Sequence, residues 1–136
     1  MTKSYVLDAS AVLDFVEDGP GGERIERLFK QARDSNTPLG MSVLNWGEVF
    51  YHSWQQRGEE SARRIVAGMS RLPIELVPVD RHQVLKAGEL KAIHKIPYVD
   101  CVAAALAALR QATLVTSDRD FEKLGRSFPI LWITRS

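Results

Sequence analysis

The chain has 136 residues, which fits one domain with a substantial hydrophobic core, and 45% of them are hydrophobic, as in ordinary globular proteins. No apolar run approaches the roughly 20 residues that a membrane-spanning helix needs, so no membrane association is expected. The formal net charge of +1 indicates no class of partner, and a role with nucleic acid would have to rest on local patches. The single cysteine, Cys101, excludes an intrachain disulfide, and the first residues lack the layout of a signal peptide, so we expect a cytoplasmic protein.

Short apolar runs alternate with segments of helical periodicity along the chain. The predicted strands are residues 3–7, 39–42, 74–79, 113–116 and 129–133. The predicted helices are residues 9–17, 23–33, 43–57, 61–72, 81–93 and 98–109, with a short helical turn after residue 120. Ser42 and Asp80 are the predicted N-caps of the helices that follow them. Strands that alternate with helices predict an α/β fold, a three-layer α/β/α sandwich with a parallel sheet, formed by one domain over residues 1–136.

Two aspartates follow predicted strands in the same way. Asp8 comes directly after the first strand, and Asp118 comes just after the fourth, each beside small residues. The carboxyl ends of parallel strands meet at one edge of a sheet, where ligands bind in open α/β folds. Either aspartate could instead simply cap the next helix. The shared layout favours a common site.

Two further carboxylates lie inside predicted helices. Asp100 is in the first turn of the most apolar helix, where Ala103 and Ala104 let other backbone approach closely. A favourable interaction with the helix dipole would need only a surface residue, whereas a buried unpaired carboxylate costs several kcal/mol and requires a cation. Glu48 lies between Leu44 and Tyr51 on a mixed apolar face, and its solvated and functional interpretations both stay open.

Four converging carboxylates without basic partners would repel one another unless metal ions neutralised them. Oxygen ligands select hard cations, so Mg²⁺ is expected, or Mn²⁺ in its place. Zinc is disfavoured because His52, His82 and His94 have no ligand spacing and Cys101 has no thiol partner. Magnesium held by carboxylates usually acts on phosphate.

The segments VLDAS (6–10), WGEV (46–49), PYVDCVAAA (97–105) and VTSDRDF (115–121) resemble the motifs of PIN-domain nucleases, and most closely those of VapC-type toxin ribonucleases. This resemblance implies a five-stranded parallel sheet in the order 3-2-1-4-5. It also implies Mg²⁺-dependent cleavage of RNA phosphodiesters, a cognate antitoxin that covers the active site, and a homodimer.

The resemblance also assigns roles to individual residues. Asp8, Glu48, Asp100 and Asp118 match the four acidic positions that hold one or two Mg²⁺ ions and carry catalysis. Supporting positions are Ser10, the small hydroxyl residue after the first aspartate, and Ser117, which precedes the fourth acid. Asp120 is acidic in many members, and its role as a metal ligand or as a helix cap stays open.

Basic residues flank two of the acids. Lys91, His94 and Lys95 lead into the Asp100 helix, and Arg119 adjoins Asp118, so these four are candidate contacts to RNA phosphates. A solvated face explains each of them equally well.

The function predicted from these observations is a metal-dependent endoribonuclease that acts as the toxin of a toxin–antitoxin pair. The alternatives are a catalytically inactive PIN-like binding scaffold and a non-toxin PIN nuclease in RNA processing. A haloacid-dehalogenase layout would need an aspartate at position 10, where Ser10 stands, and the G-x-G-x-x-G of a dinucleotide site is absent.

Overall fold

A five-stranded parallel sheet forms the centre of the computed structural model, which describes residues 3–134. The strands are β1 Tyr5–Leu7, β2 Leu39–Ser42, β3 Ile74–Val77, β4 Thr113–Thr116 and β5 Ile130–Trp132. Their order is β3-β2-β1-β4-β5, and every neighbouring pair is parallel. Fold class and strand order are therefore confirmed. The ends of the predicted domain, residues 1–2 and 135–136, lie outside the described residues.

Helices cover both faces of this sheet. They are α1 Ala9–Val16, α2 Gly22–Ser35, α3 Val43–Arg57, α4 Glu59–Met69, α5 Arg81–His94, α6 Tyr98–Leu109 and a 3₁₀ helix, Arg119–Leu124. Successive strand residues point to opposite faces. Val6 and Leu114 accordingly join the core under α5 and α6, while Leu7 and Val115 join the core under α1 and α2.

The boundaries of several elements follow from local chemistry. Ser42 and Asp80 accept hydrogen bonds from the backbone N–H groups of Leu44 (3.2 Å) and Gln83 (2.9 Å), which confirms both predicted N-caps. The third strand ends at Val77 rather than at residue 79 because Pro78 has no N–H to donate. Helix α4 covers Glu59–Met69 rather than residues 61–72, since it begins directly after Gly58 and gives way to turns after Met69.

Helix α6 is the most deeply buried helix of the described chain. Every side chain from Asp100 to Ala107 is buried, and alanines make up much of this stretch, so the helix lies close against the sheet. Its first turn, which carries Asp100, reaches the carboxyl edge of the strands. Within residues 3–134 no single helix is long and apolar enough to cross a membrane; α5 and α6 pass such a test only together, as a pair bent by 120°.

Candidate active site

The four predicted acids lie at the carboxyl ends of three neighbouring strands. Asp8 follows β1 directly, and Asp118 comes two residues after the end of β4. Glu48 is in the second turn of α3, which begins where β2 ends. Asp100, in the first turn of α6, approaches the same edge, and its pKa responds to the charges of the other three acids. The topology thus brings all four predicted acids together.

Asp8 is held by hydrogen bonds to both of its carboxylate oxygens. Its Oδ1 accepts from the backbone N–H of Ala11 (3.0 Å) and from Ser10 Oγ (2.7 Å), and its Oδ2 accepts from Thr116 Oγ1. Asp8 therefore caps α1 and faces the site at the same time. The side chain is only 4% exposed, and this burial raises its pKa to about 6 even though the three hydrogen bonds lower it.

Hydroxyl groups tie the end of β4 to the start of α1. Thr116 Oγ1 accepts a hydrogen bond from the backbone N–H of Asp118 (2.9 Å), and Ser10 Oγ accepts from the backbone N–H of Ser117 (3.0 Å). Asp118 Oδ1 in turn accepts from the backbone N–H of Asp120 (2.9 Å) and so caps the 3₁₀ helix. Ser117 thus contributes to this network through its backbone.

Asp100 lies at the centre of the negative charge. One carboxylate oxygen each from Asp100, Asp118 and Asp120 lies within 4.8 Å of the others. Burial raises the pKa of Asp100 to about 7, and the charges of Asp118, Glu48, Asp8 and Asp120 add to the rise. The trio of neighbouring oxygens therefore includes Asp120, whose role was open, while Asp8 keeps an acceptor position on Oδ2, which accepts a single hydrogen bond.

Glu48 is half-buried and is oriented by a residue of its own helix. Asn45, which is fully buried, donates from Nδ2 to Glu48 Oε1 at 2.8 Å. Burial raises the pKa of Glu48, the Asn45 hydrogen bond lowers it, and the charge of Asp118 raises it further. The single observed hydrogen bond leaves Oε2 of Glu48 available for a ligand.

Among the described residues, no ion pair neutralises this cluster. The pairs formed by lysine and arginine side chains all involve other carboxylates. Several carboxylates lie here with oxygens close together, and burial raises the pKa values of Asp8, Glu48 and Asp100. Such a group matches the all-oxygen ligand set of a hard divalent cation. The residues present thus fit the predicted Mg²⁺ or Mn²⁺.

The four residues predicted to contact RNA differ in whether their side chains already contact other parts of the protein. Lys91 Nζ donates to the backbone carbonyl of Ile96 at 2.9 Å, and the Arg119 guanidinium lies against β5. His94 is half-buried in the last turn of α5, and Lys95 is exposed directly after it. Phosphate contact stays a prediction for all four.

Sequence reasoning missed Thr116 and Asn45. A polar residue at the buried end of a strand was one available signal for Thr116, and the three-residue spacing from Asn45 to Glu48 was one for Asn45. Neither signal identifies a partner, because Thr116 and Asp8 are 108 positions apart in the chain.

We predict that Thr116→Val weakens metal binding about 10- to 100-fold, as loss of a hydrogen bond to a metal ligand generally does. The substitution removes the donor to Asp8 Oδ2 and the acceptor for the Asp118 N–H, while side-chain volume changes little. Titration with Mn²⁺ followed by calorimetry measures the effect. Thr113→Val, at the other end of β4 and also buried, is the matched control. Equal Mn²⁺ affinities in the two variants would contradict the role of the Thr116 hydroxyl.

Comparisons with known proteins agree with this architecture. The family model described as PIN domain matches residues 5–127. DNA-bound VapBC from Salmonella typhimurium aligns with a TM-score of 0.76 and 17% identity, over 97% of this chain and 99% of that one. A toxin–antitoxin complex from Klebsiella pneumoniae aligns with a TM-score of 0.68 and 18% identity, over 98% and 100% of the two chains.

A sarcin-ricin loop cleaving toxin from Mycobacterium tuberculosis aligns with a TM-score of 0.67 and 20% identity, over 90% of this chain and 95% of that one. At such identities these likenesses show the fold alone. No curated protein sequence matches the chain.

Proposed function

The chain belongs to the PIN-domain family, and on that premise we propose that it is a Mg²⁺-dependent endoribonuclease acting as the toxin of a toxin–antitoxin pair. The observation that carries the proposal is the group of carboxylate oxygens from Asp100, Asp118 and Asp120, which has no cationic partner in the described chain. The chain shares its fold with a toxin–antitoxin complex and with a sarcin-ricin loop cleaving toxin, which supports the toxin assignment.

Asp100, Asp118 and Asp120 would hold the ion, with Asp8 and Glu48 completing the negative surroundings. When bound, Mg²⁺ would supply Lewis acidity toward a phosphate oxygen and lower the pKa of a coordinated water. The reaction is a hydrolysis, in which the oxygen of water bonds to phosphorus, the bridging P–O bond breaks and the departing oxygen takes up a proton from solvent.

The chain's own residues orient the reacting groups and accept the proton. Asn45 fixes Glu48 through Oε1, so Oε2 is placed to accept a hydrogen bond from the attacking water and then its proton. The raised pKa of Glu48 suits this role, because a base with a pKa nearer neutrality holds the proton better. Ser10 and Thr116 keep Asp8 in one orientation through their hydroxyl groups.

Protein partners are part of the same proposal. The described surface of α3 exposes Leu44, Tyr51 and Trp54, and that of α5 exposes Leu85 and Ile93. Large apolar side chains exposed on helices are available for contact with a protein partner. They support a cognate antitoxin and a homodimer as partners of a cytoplasmic enzyme.

The test of the proposal is cleavage of a mixed cellular RNA by the purified protein with and without Mg²⁺. We expect cleavage with Mg²⁺ or Mn²⁺, its loss in EDTA and its return when the metal is restored. Cleavage that continues in EDTA would contradict the proposed chemistry. Growth arrest upon expression of the chain, relieved by an antitoxin, separates a toxin from a nuclease of RNA processing.

A further inference from the structure

Arg119 lies between Asp118 and Asp120 in the sequence, yet its side chain contacts neither of their carboxylates. The guanidinium carbon lies 4.2 Å from the centroid of the Trp132 ring on β5. Its Nη2 donates to the backbone carbonyl of Thr134 at 2.7 Å, and its Nη1 lies 3.4 Å from Glu122 Oε1. The contacts with Trp132 and Thr134 therefore hold this guanidinium on the β5 side of the loop, and the third contact joins it to Glu122 of its own 3₁₀ helix.

These contacts anchor the loop that presents Asp118 and Asp120. Its first part is fixed by Thr116 and Ser10, which accept hydrogen bonds from the backbone of Asp118 and Ser117. Beyond Asp118, two side chains tie the loop toward β5: Arg119 does so through polar and stacking contacts, and the fully buried Phe121 lies in the cluster that Trp132 packs against. Because Asp118 and Asp120 are its immediate neighbours, the contacts of Arg119 contribute to where their two carboxylates lie relative to Asp100.

Trp132, on which the Arg119 guanidinium stacks, is itself held in place by other residues. Arg24 of α2 donates a hydrogen bond to the backbone carbonyl of Trp132, and the Trp132 ring packs against the core under α5 and α6. A flat guanidinium can stack on an indole and donate to a carbonyl simultaneously, whereas an ammonium group cannot reproduce both contacts. The residue type at position 119 thus matters as well as its charge.

We infer that Arg119 is a positioning residue for the Asp118 and Asp120 carboxylates, acting through Trp132 and Thr134 rather than by contact with an RNA phosphate. The inference rests on the proposed function, because it takes these carboxylates to be the metal ligands. It reverses the role that sequence proximity to Asp118 suggests for this arginine.

Metal affinity tests the inference without any activity measurement. Titration of the full chain with Mn²⁺, followed by calorimetry or by the electron paramagnetic resonance of free Mn²⁺, gives the dissociation constant. We expect Arg119→Lys and Trp132→Leu each to weaken Mn²⁺ binding by about tenfold or more, the usual effect of losing support behind a metal ligand. Trp132→Phe, which keeps a ring beneath the guanidinium, should bind Mn²⁺ like the wild type.

The matched control is Arg110→Lys. Arg110 also forms a two-pronged contact, with Glu75 at 2.9 and 3.1 Å, but at the opposite end of the sheet. We expect this variant to lose that contact and keep wild-type Mn²⁺ affinity. The double variant Arg119→Lys/Trp132→Leu should weaken Mn²⁺ binding by less than the product of the two single effects, since both changes break the stacking of Arg119 on Trp132.

The outcomes separate this inference from the proposed function. Wild-type affinity in both Arg119→Lys and Trp132→Leu would overturn the positioning role and leave the metal site intact. No Mn²⁺ binding by the wild type would overturn the proposed function and this inference with it. Melting curves in EDTA identify a variant that does not fold, in which case the other variant decides.

Discussion

Replacing Asp100 by asparagine is expected to lower metal-dependent RNA cleavage by about 10²- to 10³-fold, while the metal-free protein becomes more stable. The loss of activity follows from removing a carboxylate that lies within 4.8 Å of those of Asp118 and Asp120. The gain in stability follows from removing a charge that is only 8% exposed and surrounded by other negative charges.

The two effects are measured separately. Initial rates of RNA cleavage in Mg²⁺ report the first, and melting temperatures in EDTA at about pH 8 report the second, at roughly 4 °C for each kcal/mol. A residue that served only the fold would show the opposite pattern, with stability lost in step with activity. A lower cleavage rate together with a higher melting temperature therefore identifies a carboxylate that serves catalysis and destabilises the metal-free fold.

The control for this prediction is Asp34→Asn on α2, an aspartate that is exposed and distant in sequence from the four motifs. It removes the same charge from the chain and should leave both activity and melting temperature unchanged. Asp100→Asn that cleaves RNA at the wild-type rate with normal Mg²⁺ dependence would contradict the site assignment.

A second large effect is expected from pH. Without metal, the pKa values of Asp8 and Asp100 are raised from 3.8 to about 6 and about 7. At pH values between the unfolded pKa of 3.8 and these raised values, the folded protein holds protons that the unfolded chain has already released. Stability therefore falls by several kcal/mol as pH rises from about 4 to about 8, and it levels off above that range because both carboxyl groups are then ionised in the folded protein too.

A metal ion bound to the ionised carboxylates would reverse this trend. We expect melting temperatures in EDTA to fall between about pH 5 and pH 8, and the stabilisation by saturating Mn²⁺ to grow over the same range. The Asp100→Asn variant should show a shallower fall, since one of the two titrating groups is gone. Stability that increases with pH in EDTA would contradict the raised pKa values.

Much of the fold could be predicted because its signals are local. Apolar strands that alternate with amphipathic helices indicate the three layers, and Ser42 and Asp80 cap helices through contacts with residues close by in the chain. The strand order came from the family resemblance, because no local signal says which strands pair. The ends of β3 and α4 were misplaced by a few residues where a proline and a series of turns cut short an apolar pattern.

The candidate site divides in the same way. Position alone made the acids at strand ends and at the start of a buried helix candidates, and the family resemblance assigned their roles. The presence of Asp120 among the closest oxygens depends on the turn of a 3₁₀ helix, which spacing does not reveal. The direction of Arg119 depends on Trp132, which becomes its neighbour only after β5 joins the sheet.

The hydrogen bonds of Asp8 affect how its mutants should be interpreted. The Oδ1 atom that belongs to the candidate site also satisfies the first turn of α1, so an alanine at this position removes a helix cap together with a charge. Capping by asparagine is about as favourable as by aspartate, whereas alanine costs roughly 1 kcal/mol. Lost cleavage in Asp8→Ala thus mixes a weakened helix with a missing carboxylate, and Asp8→Asn is the substitution that isolates the chemistry.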